Sequence, residues 1–452
     1  MTPLTRLAII VLISMLVGAG LGAGLVKRLQ PPPEPVAVAP VPAVPKTEPV
    51  AVFTLIDANE LPGWTQDSVA QALAGLKRSC ARFALQAPET LVGRDTIMRP
   101  ARAWQDACKS LAQITDGDAA LRAALARDFM VYKVAQPTVE PSAAPNDRGT
   151  FTAYYESELN GSLTRGGNYQ VPVYGVPRNL VTISLKDFLP PSTQLPSALP
   201  SNLVGRLVPS VQTDPLGNQA GAQIKPYFTR AEIDSENAIA EDADVLLWAD
   251  DPVAVHILHI QGSGRVTLPD GQVLRIGFAG HNGRAFKGIG SILLEAGELK
   301  PGGASMIAVR EWLQRHPVEA VDYMNRNTRY IFFRKLNPAE TEDGPLGAQG
   351  VSLTPGRSLA VDPRFIPLGA PMWLDTTDPD GVPIQRLMVA QDVGAAITGP
   401  VRGDIFWGHG EEAFLKAGRM KSAGGYFIFV PKMSNSEPSN IQVPGNPAQQ
   451  IQ

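Results

Sequence analysis

Short apolar runs that end on aspartate, next to glycine or proline, set the pattern of residues 354–410. The run Leu-Met-Val-Ala at 387–390 predicts a buried strand, which stops at Asp392. Asp362 and Asp404 stand in the same way beside proline and glycine. A carboxylate at the end of a buried strand loses hydration, and its pKa then rises towards the range useful for general acid catalysis. Spacing alone also fits three solvated turn aspartates, because aspartate is common in turns.

Elsewhere the pattern predicts short strands at residues 169–174, 253–260 and 372–374, each with turn-forming residues around it. Residues 304–324 predict a single amphipathic helix. Its apolar positions are Ile307, Val309, Trp312, Val318, Val321 and Met324. The chain also holds 42 glycines and 41 prolines, which favours many short strands and tight turns over long helices.

The composition is that of an ordinary globular protein. Hydrophobic residues make up 44% and charged residues 18% of the 452 residues, which allows a sizeable core and two or three domains. The net charge of -3 carries no signal for binding a polyanion. We therefore expect no nucleic acid partner.

The two ends of the chain differ from its body. Residues 7–26 are free of charge and numerous enough to cross a bilayer as a helix. We interpret residues 1–30 as an uncleaved signal anchor, with a cleaved signal peptide as the alternative because residues 18–24 are small. The proline-rich residues 31–52 predict an extended linker, and the polar residues 433–452 predict a disordered tail.

Several strings of the sequence together resemble the MltA family of membrane-bound lytic murein transglycosylases. The three-aspartate domain of that family is matched by TPGRSLAVDP at 354–363, IPLGAP at 366–371, AQDVGAAI at 390–397 and GDIFWG at 403–408. Upstream matches are GTFTAYYE at 149–156, IQGSGR at 260–265, AGHNG at 279–283 and NTRYIFFR at 327–334. Each string is weak alone, but their order over roughly residues 52–432 is specific.

The resemblance implies a mainly β fold with some α structure. Its catalytic domain is expected to be a double-psi β-barrel formed by residues 53–156 and 332–432, with the three-aspartate segment at 354–432. A second β domain, residues 157–331, is expected to be inserted between them. The resemblance also implies a periplasmic protein of the bacterial envelope, and we expect residues 7–26 to anchor it to the inner membrane. No cysteine lies near that segment, so the chain lacks the lipidation site of several family members.

By resemblance, the protein is a peptidoglycan lytic exotransglycosylase, although the residues leave exo- and endo-action open. Such enzymes cleave the β-1,4 bond between N-acetylmuramic acid and N-acetylglucosamine and leave a 1,6-anhydromuramoyl end. The muramoyl C6 hydroxyl attacks within its own sugar, which carries a large effective molarity. One carboxylic acid then suffices as acid and base, whereas ordinary glycosidases need two.

We assign the acid and base role to Asp404, which occupies the family's catalytic position by resemblance. It follows Gly403, expected to leave room for substrate, and precedes the apolar residues 405–407, expected to exclude water. The charge of Asp392 is expected to raise the pKa of Asp404 and to stabilise an oxocarbenium ion. Asp362 is expected to organise the barrel loops of the binding site through backbone hydrogen bonds.

A cleft between the two domains is the expected seat of the glycan strand. One wall would carry Thr152, Tyr154 and Tyr155, and the other would carry Gln261, Ser263, Asn282 and Phe286. For the two neighbouring tyrosines, core packing of one of them is the competing interpretation, because alternate residues of a strand face opposite sides.

Cys80 and Cys108 lie on the apolar faces of two predicted helices, shared with Val69, Leu73 and Leu76, and with Trp104 and Leu111. Two reduced core cysteines are one interpretation. An oxidising periplasm and an even count favour a disulfide, which would stabilise the fold by roughly 3–4 kcal/mol.

We expect no metal and no cofactor. His256 and His259 fall in a predicted strand, where their spacing places them on opposite faces, and no zinc or calcium pattern is present. The residues QGSG at 261–264 fit neither a nucleophile elbow nor a phosphate loop. A non-catalytic or expansin-like binder of peptidoglycan is the alternative to an enzyme.

Overall fold

The structure is a computed structural model that describes residues 50–115, 117–138, 144–188, 202–209, 221–338 and 344–433. The strands in these ranges are β1 (Val52–Ile56), β2 (Leu91–Val92), β3 (Arg99–Pro100), β4 (Phe129–Ala135), β5 (Gly149–Ser162), β6 (Val171–Tyr174), β7 (Leu180–Ser184), β8 (Asn202–Pro209), β9 (Ala222–Pro226), β10 (Val245–Ala249), β11 (Ser263–Thr267), β12 (Val273–His281), β13 (Ile331–Lys335), β14 (Ser358–Ala360), β15 (Pro371–Thr377), β16 (Pro383–Asp392), β17 (Arg402–His409) and β18 (Lys421–Pro431).

The helices in the same ranges are α1 (Leu73–Phe83), α2 (Ala101–Ala112), α3 (Asp118–Asp128), α4 (Arg230–Asp234), α5 (Pro252–Gln261), α6 (Ile289–Glu295), α7 (Met306–Arg315), α8 (Pro317–Asn325) and α9 (Gly410–Arg419). Within the described ranges, every helix is too short or too polar to cross a membrane. Residues 7–26 lie outside those ranges, as do nearly all of the predicted linker and tail.

Six strands pair in a closed circuit. Strand β5 pairs with β17, β17 with β14, β14 with β16, β16 with β15, β15 with β18, and β18 again with β5. The pairs β5–β17 and β14–β16 are parallel and the others are antiparallel. Side chains from around the circuit, among them Phe151, Leu359, Met388 and Ile428, are 0% exposed and share one core. The expected mainly β fold built on a barrel is confirmed.

Strand β5 leaves this barrel and continues into a second sheet. Its residues 150–156 pair with β17, whereas residues 157–160 pair with β11, and its last two residues pair with β10. Strands β11, β12 and β13 follow as antiparallel neighbours. This second sheet has a core of its own, which includes Leu159 and Ile276. The long strand β5 is therefore one physical link between the two sheets.

The change of sheet along β5 falls close to the predicted domain boundary at residue 157. At the other boundary, residues 332–335 were assigned to the barrel domain, but they pair with β12 as part of β13. We propose the same division into a barrel domain and an insert, with β13 moved to the insert.

Helices α1 and α2 pack together beside the barrel, as their apolar faces predict. Phe83 and Trp104 stack with ring centroids 4.8 Å apart. Cys80 and Cys108 are joined by a disulfide, with Cα atoms 5.4 Å apart. The two helices are thus crosslinked on the side of the barrel that carries the aspartate segment.

The strand predicted at residues 253–260 is wrong, because this segment forms helix α5. Asp251 caps the helix by accepting a hydrogen bond from the backbone N–H of Val253 at 2.8 Å. Pro252 occupies the first turn, where its missing N–H costs nothing. Gly262 ends the helix with φ of 78°, a left-handed conformation that glycine adopts readily. The helix is apolar nearly all round because it is buried, so it lacks the amphipathic period that identifies surface helices.

The expectation that His256 and His259 lie on opposite faces is wrong for the same reason, since a spacing of three shares one side of a helix. Both imidazoles are buried, at 2% and 6% exposure. Burial lowers the pKa of each well below 6.5, so both are neutral. His259 Nδ1 accepts a hydrogen bond from the backbone N–H of Ile331 at 3.1 Å. Among the described residues, no group of three or more His, Cys, Asp or Glu is arranged to hold a metal ion.

The single helix predicted at residues 304–324 is also wrong. The segment forms two helices, α7 and α8, which meet at His316 and Pro317. Proline disfavours the helical conformation in the residue before it. His316 accordingly has φ of -125° and ψ of 60°, outside the helical region.

Candidate active site

Two of the three aspartates lie in one row across the barrel. Ala360 in β14 is the Cα partner of Asp392 in β16 on one side and of Asp404 in β17 on the other. Asp404 is in turn paired with Thr152 in β5. Residues in register on neighbouring strands share a face, and strands lie about 4.8 Å apart. The two aspartates therefore sit on the same face with one small residue between them.

Asp404 is held by a directed chain of hydrogen bonds. Arg402 Nη2 donates to Thr152 Oγ1 at 2.8 Å. Thr152 Oγ1 lies 2.5 Å from Asp404 Oδ1 and donates to it. Because the threonine oxygen accepts from the guanidinium, its own proton is available for the carboxylate.

Burial raises the pKa of Asp404 from its ordinary value of 3.8 to about 6. The hydrogen bond from Thr152 and the charge of Arg402 oppose this rise, while the negative charge of Asp392 adds to it. An acid with a pKa near 6 is partly protonated close to neutral pH, as a general acid must be.

Asp392 receives three hydrogen bonds. The Tyr154 hydroxyl donates to Oδ2 at 2.7 Å, and the backbone N–H groups of Ala348 and Val393 each donate to Oδ1 at 2.9 Å. Burial raises the pKa of Asp392, and these three donors hold the rise down. Burial, with the charge of Asp392, also keeps the pKa of Tyr154 well above 10, so its hydroxyl stays a donor.

The residue before Asp392 fixes the end of its strand. Gln391 is 0% exposed. Its Oε1 accepts from Ser358 Oγ at 2.6 Å, and its Nε2 donates to Gly75 O and to Ser79 Oγ, both at 2.9 Å. Helix α1, which carries Gly75 and Ser79, is thereby tied to the strand that ends at Asp392.

Gly403 was expected to leave room for substrate, and that reason is wrong. A Cβ atom at this position would lie 2.8 Å from the ring of Phe151 and 3.1 Å from Leu359. Glycine is required here by the core of the barrel, on the opposite face from Asp404. Ile405 and Phe406 are each 1% exposed. By alternation Phe406 shares the face of Asp404 and Ile405 faces the core with Gly403, so the exclusion of water expected of these residues stays a prediction.

Asp362 lies in a different setting. It is 2% exposed and forms an ion pair with Arg364 at 2.6 Å. It also accepts hydrogen bonds from the backbone N–H of Gly399 at 2.7 Å and of Arg364 at 3.1 Å. Burial alone would raise the pKa of Asp362, but these partners hold it below 3.8. It joins the loop after β14 to the loop before β17, in agreement with the organising role expected for it.

The neighbouring tyrosines divide as alternate strand residues do. Tyr154 reaches Asp392, whereas Tyr155 is 7% exposed and packs edge-on against Phe414, with ring centroids 5.3 Å apart. Tyr155 therefore packs in the core, which favours the competing interpretation for this residue. Gln261 Oε1 accepts from the backbone N–H of Tyr155 at 3.1 Å, so Gln261 supports β5 next to Tyr154.

Three of the residues predicted on the opposite wall of the cleft, Ser263, Asn282 and Phe286, lie in the insert. Asn282 is 1% exposed and donates to the backbone oxygens of Phe228 and Thr328, each at 2.8 Å. Its amide thus organises the insert, and the contact with substrate predicted for it stays a prediction. Ser263 is 7% exposed at the start of β11, and Phe286 is half-buried after β12. In the part of the chain that the structure describes, no hydrogen bond joins these three residues to the aspartates.

Sequence reasoning missed Arg402, which orients Thr152, and Ala348, which holds Asp392. Arg402 stands two residues before Asp404, so alternation along a strand offered a signal that it shares a face with the acid. Ala348 contributes only its backbone, which no side-chain pattern reveals. Its loop meets Asp392 across 44 residues of sequence.

The fold and the site define a class of protein that has an acidic site on a six-stranded barrel and a β insert, with one barrel strand continuing into the insert. Comparisons with known proteins agree. Residues 150–334 match the MltA specific insert domain, and residues 357–430 match the 3D domain. The chain belongs to the MltA family.

Individual relatives support this membership. The chain is similar to membrane-bound lytic murein transglycosylase A of Escherichia coli K12, with 30% identity over 276 residues, 59% of this chain and 62% of that protein. The match thus spans less than two thirds of that relative. A solved membrane-bound lytic murein transglycosylase from Agrobacterium tumefaciens is 30% identical, with a TM-score of 0.67 over 84% of this chain and 97% of that one. MltA from Neisseria gonorrhoeae, in its monoclinic form, is 29% identical, with a TM-score of 0.67 over 85% and 95%.

Proposed function

We propose that this protein is a lytic transglycosylase that cleaves the β-1,4 bond between N-acetylmuramic acid and N-acetylglucosamine and leaves 1,6-anhydromuramoyl ends. Membership of the MltA family supports the reaction class. The observation that carries the proposal is Asp404, an acid whose burial raises its pKa to about 6, one strand away from Thr152 and two from Asp392.

In the first step Asp404 gives its proton to the oxygen that leaves with the N-acetylglucosamine side. Oδ1 accepts the hydrogen bond from Thr152, so the transferable proton is carried by Oδ2. Thr152 then stabilises the carboxylate that remains, because its hydroxyl already points at the developing charge. The acid is thus held ready in one orientation by residues of the neighbouring strand.

In the second step the carboxylate of Asp404 takes the proton of the muramoyl C6 hydroxyl as that oxygen bonds to C1 of the same sugar. The nucleophile is tethered, so no second carboxylate has to position a water molecule. Asp404 ends the cycle protonated, as it began. A single acid and base therefore balances the reaction.

Asp392 acts through its charge. Its three hydrogen-bond donors favour the ionised form even though burial raises its pKa. A negative charge two strands away stabilises positive charge on the sugar ring in the transition state and keeps the pKa of Asp404 high. We propose that Tyr154 fixes the position of this charge.

The strand bound in the cleft is proposed to be β-1,4-linked amino sugar. A solved structure of MltA from E. coli holds chitohexaose. It is 22% identical to this chain, with a TM-score of 0.55 over 84% of this chain and 95% of that one, which shows a shared fold. We place Thr152, Tyr154 and the aspartates on the wall nearest the scissile bond.

The names of the relatives place them at a membrane. We propose that this protein works in the periplasm, where peptidoglycan lies, and that residues 7–26 hold it at the inner membrane.

Digestion of purified peptidoglycan tests the reaction. Mass analysis of the soluble products should show 1,6-anhydromuropeptides. Asp404→Asn should abolish their release and keep the fold, because the amide has a similar shape but cannot donate the proton. General acid catalysis contributes about 10²–10⁴-fold, and this site has no substitute for it. Reducing-end products alone would mean a hydrolase, and absence of soluble products with intact binding would favour a non-catalytic or expansin-like binder.

A further inference from the structure

One face of β5 carries charged residues further along the strand than the positions that contact the aspartates. Even-numbered positions of this strand share a face, and Thr152 and Tyr154 on that face contact Asp404 and Asp392. Most even positions are at least partly exposed, as expected of a cleft wall. Glu156, next on the same face, is buried at 0% exposure, as is Ser162 at the end of the strand at 8%. Glu156 marks the point where the insert closes over the strand.

Two arginines of the insert face these even positions. Glu158 in β5 is paired with Arg265 in β11, and Arg265 is paired with Arg275 in β12. Arg275 Nε lies 3.3 Å from Glu156 Oε1, and Arg265 Nε lies 3.7 Å from Glu158 Oε1. His409 Nδ1 of the barrel lies 3.1 Å from Glu158 Oε1. We call these five residues the joint cluster.

The polar groups of the joint cluster are incompletely satisfied. Both carboxylate oxygens of Glu156 are buried without a hydrogen-bond donor among the described residues. Each arginine approaches its glutamate through Nε, and no terminal nitrogen of either arginine donates a hydrogen bond to another described residue. Their parallel donors can therefore serve another acceptor. Like charges directly opposite on a sheet repel each other. A carboxylate bound between Arg265 and Arg275 would remove that repulsion.

The charge of the cluster also favours an anion. Burial raises the pKa of Glu156 to about 7, against the opposing charges of Arg275 and Arg265 and with the help of Glu158. About half of the molecules therefore carry a neutral Glu156 at neutral pH. The two guanidinium charges then exceed the negative charge around them.

We propose that Arg265 and Arg275 form a subsite for the carboxylate carried by the muramoyl substituent of the glycan strand. That carboxylate belongs to the D-lactyl group where no peptide is attached, and to the peptide where one is. The inference rests on the proposed function and deepens it, because it names a charged group that the substrate presents along β5. The subsite lies two to four residues beyond Tyr154, or about 7–13 Å along a strand.

Binding measurements on the full chain carrying Asp404→Asn test the subsite without turnover. Three ligands of matched length are compared: strands with peptides, strands freed of peptides by an amidase, and chitohexaose, which has no carboxylate. Carboxylate-bearing strands should bind about tenfold more tightly than chitohexaose, as expected for charge-assisted hydrogen bonds. If only peptide-bearing strands gain, the peptide carboxylate is the ligand. If only amidase-treated strands gain, the lactyl carboxylate is the ligand, because it is a neutral amide while the peptide is attached. If both kinds of strand gain, the subsite accepts either carboxylate.

Arg265→Gln and Arg275→Gln should each bring this affinity ratio close to one. Arg275→Lys should keep part of it, because the charge remains without the fork of donors. Arg334→Gln is the matched control, since Arg334 is an exposed arginine on the neighbouring strand β13. Thermal melting checks the fold of each variant. If Arg275→Gln unfolds, Arg265→Gln decides.

The ratio should also grow as the pH falls from about 8 to about 6, since Glu156 takes up a proton over that range. Glu156→Gln should remove this pH dependence. Folded arginine variants that keep the full ratio would overturn the proposal, and so would an equal loss of affinity for all three ligands, which indicates a structural role. Failure of the proposed function is distinguishable, because it appears as wild-type protein that binds selectively but releases no anhydro products.

Discussion

Replacement of Thr152 by valine should raise the pKa of Asp404. The threonine hydroxyl donates to Asp404 Oδ1 at 2.5 Å and stabilises the charged carboxylate. Valine keeps the branched shape and removes the donor. Burial, the largest cause of the raised pKa, is then opposed by the charge of Arg402 alone.

The size of the change follows from the strength of this contact. A hydrogen bond to a charged group contributes about 1.5–3 kcal/mol, and about 1.4 kcal/mol corresponds to a pKa change of one. We expect the lower end, because Arg402 keeps its hydrogen bonds to the backbone oxygens of Thr150 and Gly403 and stays beside the acid. The pKa of Asp404, about 6 in this protein, should therefore rise to about 7.

The sign of the effect on activity follows from the role of the acid. Asp404 must be protonated to assist the leaving oxygen, so activity falls as the pH rises through its pKa. The fall should begin near pH 6 in the wild type and about one pH unit higher in Thr152→Val. At pH 7 about a tenth of wild-type molecules hold the proton, against about half of the variant.

The assay is kcat/KM for release of anhydromuropeptides, measured from about pH 4 to about pH 9, a range wide enough to contain the alkaline limb of the wild type and of the variant. Thr152→Ser should restore the wild-type profile, because serine keeps the donor. Thr150→Val is the control. Thr150 is an exposed threonine on the same face of β5, so its replacement by valine removes the same hydroxyl group without removing a contact to Asp404. An unchanged limb in a folded Thr152→Val would refute the reasoning, as would an equal displacement in Thr150→Val.

Other perturbations separate the remaining roles. Asp392→Asn should slow cleavage less than Asp404→Asn and move the alkaline limb to lower pH, because the charge that raises the pKa of Asp404 is gone. An inactive Asp392→Asn beside an Asp404→Asn that keeps near-wild-type turnover would exchange the two roles. Asp362→Asn should lower the unfolding free energy by about 2 kcal/mol near neutral pH. Because the pKa of Asp362 is lowered, this loss of stability should disappear as the pH falls below about 4 and the carboxylate takes up a proton. Thermal melts near neutral pH and below about pH 4 check this. Thiol labelling of denatured, unreduced protein should find Cys80 and Cys108 blocked, and two labelled cysteines would contradict the disulfide.

The barrel strands near the aspartates were predictable because their side chains are apolar without interruption. Residues 387–390 and 372–374 lie in β16 and β15. The same rule failed for residues 253–260, which are equally apolar and form a helix. The decisive signals there were the local caps, Asp251 with Pro252 at the start and Gly262 at the end. A continuous apolar run carries no period, so caps must be weighed before strand and helix are distinguished.

The pairing of the strands was beyond the reach of these patterns. Ala360 comes to lie between Asp392 and Asp404 only because β14 pairs with one strand in parallel and with the other antiparallel. Nothing in the spacing of 30 and 12 residues between the aspartates in the sequence specifies that register. Resemblance to a family supplied the order of the motifs, and the structure supplied their distances.

The three aspartates show why identical residues in one motif differ in chemistry. Asp362 is paired with Arg364, which keeps its pKa below 3.8, so it stays ionised and cannot protonate a leaving oxygen near neutral pH. The partner of Asp404 is the hydroxyl of Thr152, whereas that of Asp362 is the guanidinium of Arg364. A hydroxyl stabilises the carboxylate less, so burial decides and the pKa of Asp404 is raised. The difference lies in the partners, which for Asp404 come from β5. A change at Thr152 therefore reaches the acid directly, although 252 residues of sequence separate the two.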